Sequence, residues 1–239
     1  MVPWSGTRAV LDVAVIYIGA LFLAQLLAVA VAAIGGVEPV PLVVLAVASP
    51  IALLLVGMAW LWSRYGAAAG RVGGRARWQW TDLGVGAAVG VACFVGQQLL
   101  FSAIVWVLTR AGIETPPLQE TFRSIAANPA TAPLLIVAAV LVAPAGEELL
   151  FRGVLFEGLR ARWGFWASAL GSAGLFTLVH LGDASGGLAN AIIVAGILPL
   201  GLIFAALMER RGSLLACAAA HATYNLGGVA LLIAAATAA

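Results

Sequence analysis

The chain has 239 residues, of which 63% are hydrophobic and 9% charged, with a formal net charge of +2 and a mean hydropathy of +1.08. Soluble domains carry about 25% charged residues, so a soluble globular protein is excluded, and so small a net charge implies no nucleic-acid partner. What remains is a single integral membrane domain over residues 1–239, with the lipid bilayer as its surroundings.

Apolar runs of about 20 residues mark membrane-spanning helices. They are expected near 9–34, 41–62, 83–109, 133–159, 165–181, 188–208 and 213–236. This predicts an all-α polytopic membrane helix bundle of about seven transmembrane helices. The first run follows Arg8 as a signal peptide would, but it is about twice the usual apolar core of about 7–15 residues, so it is expected to be retained. The connection 63–82 carries Arg64, Arg71, Arg75 and Arg77, with Trp78 and Trp80 as interface anchors. The connection 110–132 contains Pro116, Pro117 and the polar run Leu118–Asn128, which predicts a short surface helix. The fourth run is interrupted by Pro144 and Gly146. A kink or break is expected there, because proline removes a helix hydrogen bond in the turn before the glutamates. Cys93 and Cys217 lie far apart in apolar runs and read as buried free thiols, with no disulfide framework or metal motif.

All twelve basic residues are arginines. With the N-terminus in the cytoplasm, that side receives Arg8, the four of loop 63–82, Arg160, Arg162, Arg210 and Arg211. The outer side receives Arg110 and Arg123, and Arg152 is intramembrane. The positive-inside rule therefore predicts a cytoplasmic N-terminus and an outer C-terminus. The Ala-, Val- and Arg-rich, lysine-free composition suggests a GC-rich bacterial genome, hence a bacterial cytoplasmic membrane.

Within this apolar setting stand Glu147 and Glu148, and the chain's two histidines, His180 and His221, are also in apolar segments. A charge in hydrocarbon costs about 2.5–3.5 kcal/mol even on the lenient insertion scale, so two adjacent glutamates require a function. At about 1.5 Å per residue, Glu147, His180 and Asn225 lie about 18–22 Å from the cytoplasmic ends of their helices, and His221 about 12 Å. Three helices thus deliver polar groups to one layer.

Three spacings carry the chemistry. Glu148 and Arg152 stand at i, i+4, one turn apart. This pairs Arg152 with Glu148 and leaves Glu147, rotated by about 100°, as the working carboxylate. Phe176 and His180 share the same spacing, which sets an aromatic ring against the imidazole. His221 and Asn225 place an imidazole and a carboxamide on one face. A glutamate beside a histidine, here Glu147 and His180, activates water by taking its proton. A histidine and an asparagine, here His221 and Asn225, donate hydrogen bonds to the oxyanion of an attacked peptide carbonyl. Alternatively, Glu147, His180 and His221 ligate one Zn²⁺ as an open two-His, one-Glu set, although the His-Glu-x-x-His zinc motif is absent. Each piece alone has an ordinary packing explanation; the matched depth and order of all three point to a site. A non-catalytic reading is a transporter or bacteriocin-immunity scaffold that uses the cluster for ions or protons. Transporters show repeat symmetry. Here no repeat is evident and the intramembrane ionisable residues lie in the second half, apart from Asp12, which favours an enzyme.

The motifs Glu147-Glu148-Leu149-Leu150-Phe151-Arg152-Gly153, Phe176-Thr177-Leu178-Val179-His180 and His221-Ala222-Thr223-Tyr224-Asn225 resemble those of the CPBP family of intramembrane proteases (CAAX protease and bacteriocin-processing, also called Abi). The leading Ala143-Pro144 and the polar helix before it fit the pattern too. The resemblance covers residues 115–230, the protease core, and the helices before it are generic spans. It implies an all-helical membrane fold with the site in a cavity between helices. It also implies water activation by Glu147 and His180, an oxyanion site at His221 and Asn225, and bracing of the cavity by Glu148 and Arg152, with Phe176 as support. The chemical reading favours a glutamate-type mechanism with no cofactor over a metalloprotease. The expected substrate is a membrane-associated peptide or protein. Nothing in the sequence shows a prenyl pocket, and the helix count is one below that of the eukaryotic CAAX-processing relatives.

Overall fold

Backbone N–H and C=O groups cannot stay unpaired in hydrocarbon, so a chain this apolar must satisfy them within helices. The computed structural model describes residues 2–36, 42–76, 78–116, 118, 120–181 and 186–237, and it is all-α, with no strand among these residues. In chain order the helices are α1 (Thr7–Gly35), α2 (Leu42–Tyr65), α3 (Trp80–Arg110), α4 (Glu120–Ala127), α5 (Ala132–Arg160), α6 (Phe165–Leu178), α7 (Gly187–Arg211) and α8 (Leu214–Thr237). A 3₁₀ stretch, Gly66–Gly73, continues α2. Residue 41, Arg77 and Pro117, which figure in the sequence expectations, lie outside the described residues.

Among the described residues six helices are long and apolar enough to cross a membrane, and α6 is a shorter apolar helix of 14 residues. At about 1.5 Å per residue α6 covers about 21 Å, less than the hydrocarbon thickness of about 30 Å. The expected seven spans therefore resolve into six full-length helices and one shorter one. α6 ends at Leu178, before the expected 181, because Val179 and His180 form a turn in which the His180 N–H reaches the Thr177 carbonyl at 3.0 Å.

The pairing of helix ends defines the topology. Ser5 meets Arg162 and the Gly6 N–H donates to the Gly158 carbonyl at 2.8 Å, so α1 begins where α5 ends. Arg211, in the last turn of α7, binds Asp82, in the first turn of α3, at 2.6 Å. Arg75 bridges Glu157 and Glu209 at 3.0 Å each, and Arg160 joins Glu209 at 3.0 Å. One end of the bundle is thus rich in arginine and holds the start of α1 and the ends of α5 and α7. Since α5 and α7 both finish at this end, α7 starts at the opposite end, and the odd parity of seven segments is preserved.

Small residues set the packing. On α1 the buried positions Ala9, Val13, Ile16, Ala20, Ala24, Ala28 and Ala32 recur at a spacing of three or four, forming a shallow ridge against α2. Asp12, buried beside this ridge, accepts from Trp60 Nε1 at 3.0 Å and from the Tyr65 hydroxyl, and pairs with Arg64 at 3.4 Å. On α3, Gly86 faces Ala216 and Ala220, Gly90 faces Ala220 and Thr223, and Phe94 packs on Gly227. α3 and α8 therefore run parallel at backbone contact.

α5 is the central span, with half of its apolar window buried. The break expected at Pro144 and Gly146 does not occur. Two π-helical stretches, Val137–Val142 and Leu149–Phe156, flank the α-helical Ala143–Glu148. The widened register absorbs the proline, so the helix stays continuous through the glutamates. The surface helix expected in 118–128 is α4, whose Ile125 and Ala126 are buried with Leu135, Val140 and Val229.

Candidate active site

The polar residues converge at the middle of the bundle, around α5. Glu148 and Arg152 are both fully buried and pair across one turn, Nη1 to Oε1 at 3.2 Å. The contact is single-point rather than a bidentate fork: Glu148 Oε2 and Arg152 Nε have no hydrogen-bond partner among the described residues. The guanidinium is otherwise held by the Gly201 carbonyl at 3.1 Å and lies over the rings of Phe176 at 4.6 Å and Phe204 at 5.3 Å. A buried pair with such geometry is poor evidence for a device serving stability alone.

Glu148 is shared. Its Oε1 also meets His221 Nδ1 at 2.8 Å, so Arg152, Glu148 and His221 form a continuous chain. With Glu148 ionised, Nδ1 must carry the proton, which turns Nε2 toward Glu147, whose Oε2 is 3.7 Å away. His221 is buried and packs against Phe204 at 5.3 Å and Phe176 at 5.9 Å between ring centroids. Glu147 keeps a side-chain exposure of 21% against none for Glu148. The adjacent glutamates thus occupy unlike environments, one locked into an ion pair and the other partly exposed.

His180 sits in the turn that ends α6. Its Nδ1 is 2.7 Å from the Phe176 carbonyl. A carbonyl can only accept, so Nδ1 is the protonated nitrogen and Nε2 carries the free lone pair. The His180 ring lies 4.7 Å from that of Phe176. Phe176 is therefore the common wall of both imidazoles and of the Arg152 guanidinium. Among the described residues no carboxylate lies within 4.0 Å of His180, whereas His221 contacts both glutamates. Asn225, one turn beyond His221 on α8, donates from Nδ2 to the Ala139 carbonyl at 2.7 Å.

All seven site residues singled out from the sequence lie in or beside this cluster. Phe204 and the Gly201 carbonyl, which complete the Arg152 cradle, carry no sequence signal: each is an apolar residue in an apolar helix. The link from Glu148 to His221 spans 73 positions, and helical spacing cannot show it. As for zinc, no group of three His, Cys, Asp or Glu side chains among the described residues lies close enough to hold one ion. The Nδ1 atoms of both histidines are engaged by other partners. The set Glu147, His180 and His221 does not fit a three-ligand site in this arrangement.

Residues 129–227 match the family model Rce1-like, described as Type II CAAX prenyl endopeptidase Rce1-like. The match starts just before α5 and ends two residues after Asn225, so it takes in every polar residue of the cluster. No curated protein and no solved structure matches the chain.

Proposed function

We propose that this membrane protein, of which residues 129–227 match the Rce1-like family model, is an intramembrane endopeptidase that hydrolyses a peptide bond of a membrane-associated peptide or protein. The observation that carries the reading is the unequal pairing of the glutamates. Glu148 is tied to Arg152 and His221, which leaves Glu147 to act on water.

In the proposed reaction Glu147 takes a proton from a water molecule held between it and the free Nε2 of His180, and the water oxygen attacks the peptide carbonyl carbon. The C=O π pair moves onto oxygen. His221 Nε2–H and the second Nδ2 hydrogen of Asn225 donate to that oxyanion. Donation from Nε2 while Nδ1 donates to Glu148 requires a hydrogen on both ring nitrogens of His221, and Glu148 at 2.8 Å and Glu147 at 3.7 Å lie on its two sides. Collapse of the tetrahedral adduct breaks the C–N bond, and the proton held by Glu147 passes to the leaving amine. The reaction uses side chains of this protein and no metal.

The arginine-rich end supports a cytoplasmic N-terminus, with the C-terminus outside and residues 115–230 as the catalytic core. The family description names a prenylated CAAX class. The test presents the purified, detergent-solubilised protein with a farnesylated CAAX peptide and with its non-prenylated twin, and maps products by mass spectrometry. Cleavage of either peptide at one defined bond is the expected result. No cleavage of these peptides or of a library of single-span transmembrane peptides would contradict the reading.

A further inference from the structure

Asn225 spends one of its two N–H groups on a backbone carbonyl, and the register of α5 explains why that carbonyl needs it. The Ala143 N–H reaches back five residues to the Ala138 carbonyl. The Ala139 carbonyl thereby loses its α-helical donor, and its π-helical donor would be residue 144. That residue is proline, which has no N–H. An unpaired carbonyl inside a membrane bundle is strongly unfavourable, and the Asn225 carboxamide meets this one at 2.7 Å.

The bond also has a geometric consequence. On α8, His221 and Asn225 are one turn apart, and they grip α5 at Glu148 and Ala139. These two points bracket Pro144 and Glu147. The stretch between them changes from π to α, so its own ladder does not fix where Glu147 lies relative to His221. α8 does.

We propose that Asn225, besides the oxyanion contact proposed for its second N–H, has a positioning role: its carboxamide caps the carbonyl that Pro144 orphans and so holds Glu147 in register with His221. This deepens the endopeptidase reading and rests on it for its kinetic consequence only. The cap itself is independent of the reaction.

The experiment is a double-mutant cycle of Asn225→Ala and Pro144→Ala, read by thermal unfolding in detergent and by steady-state cleavage of the peptide that the wild type cuts. Asn225→Ala alone should lower the melting temperature by about 5 °C and kcat by on the order of 1000-fold or more, the loss of the oxyanion donor and the misplacement of Glu147 together, with KM little changed; only the second part is recoverable by Pro144→Ala. Adding Pro144→Ala restores an N–H at residue 144. The double variant should then regain most of the lost melting temperature and at least tenfold in kcat relative to Asn225→Ala. Should Asn225→Ala not purify, Asn225→Ser enters the same cycle. Additive melting shifts would overturn the cap. Thermal coupling without any recovery of kcat would overturn the positioning role and leave the oxyanion contact as the whole kinetic effect of Asn225. The thermal arm needs no substrate, so a wild type that cleaves nothing defeats the protease reading while the cap is still decided by the melting data.

Discussion

Glu147 and Glu148 are neighbours with opposite assignments, and the assignment follows from what each side chain meets. Glu148 is without exposure and shares one oxygen between Arg152 and His221; Glu147 is partly open, and among the described residues its ion-pair partner is the far side of His221. Glu148→Gln leaves the Arg152 charge buried against Phe176 and Phe204 with a neutral partner, at a cost of about 3–5 kcal/mol. Its melting temperature in detergent should fall well below that of Glu147→Gln, and equal shifts for the two variants would contradict the division of roles. The division was half legible in the sequence. The i, i+4 spacing of Glu148 and Arg152 announces their pairing, because a helix puts those side chains on one face. The contact of Glu148 with His221 and the cradle from Phe204 and the Gly201 carbonyl were not legible, because they join α5 to α8 and α7, and no spacing rule reaches across helices. Pairing by motif placed His180 beside Glu147, whereas the nearest imidazole to Glu147 is His221, at 3.7 Å.

At the scale of the elements, the site depends on helices approaching more closely than ordinary side chains allow. α3 lies against α8 through Gly86 and Gly90, and a Cβ at Gly90 would collide with the Ala220 carbonyl and Thr223. Gly90→Val should therefore destabilise by about 1–3 kcal/mol or more, since overpacked contacts force the backbone apart. Gly96→Ala on the same helix, where an added Cβ meets nothing within 4 Å, should leave the melting temperature unchanged. A loss at Gly96 as large as at Gly90 would refute the close-approach account. The apolar runs made these helices legible, since length and hydrophobicity alone mark a span. The π stretches of α5 were not: Pro144 signalled a lost hydrogen bond, and the sequence does not say whether a helix answers that loss by kinking or by widening its register. The end of α6 was overestimated by three residues because Val179 continues the apolar pattern into the turn that presents His180.

For the whole molecule, the arginines tie one end of the bundle together and are the basis of the proposed orientation. Arg75, Arg160 and Arg211 tie the segment after α2 and the ends of α5 and α7 to Glu157, Glu209 and Asp82, all at one end of the bundle. Reporter fusions after Ala76 and at the C-terminus should fall on opposite sides of the membrane, the first cytoplasmic; two signals from one side would break the odd-parity topology. Because no three potential ligands among the described residues converge on one point, activity should persist after exhaustive treatment with a zinc chelator. Loss of activity on chelation that added zinc reverses would require the site to rearrange. If Glu147 activates the water that cuts the peptide, its amide variant must lose the reaction without losing the fold. Wild type and Glu147→Gln, matched for melting temperature, are incubated with the same membrane-anchored peptide, and the cleavage product is quantified by mass spectrometry. The wild type should give product and Glu147→Gln at least about 100-fold less, the lower range for a general base. Comparable product from both proteins would contradict it.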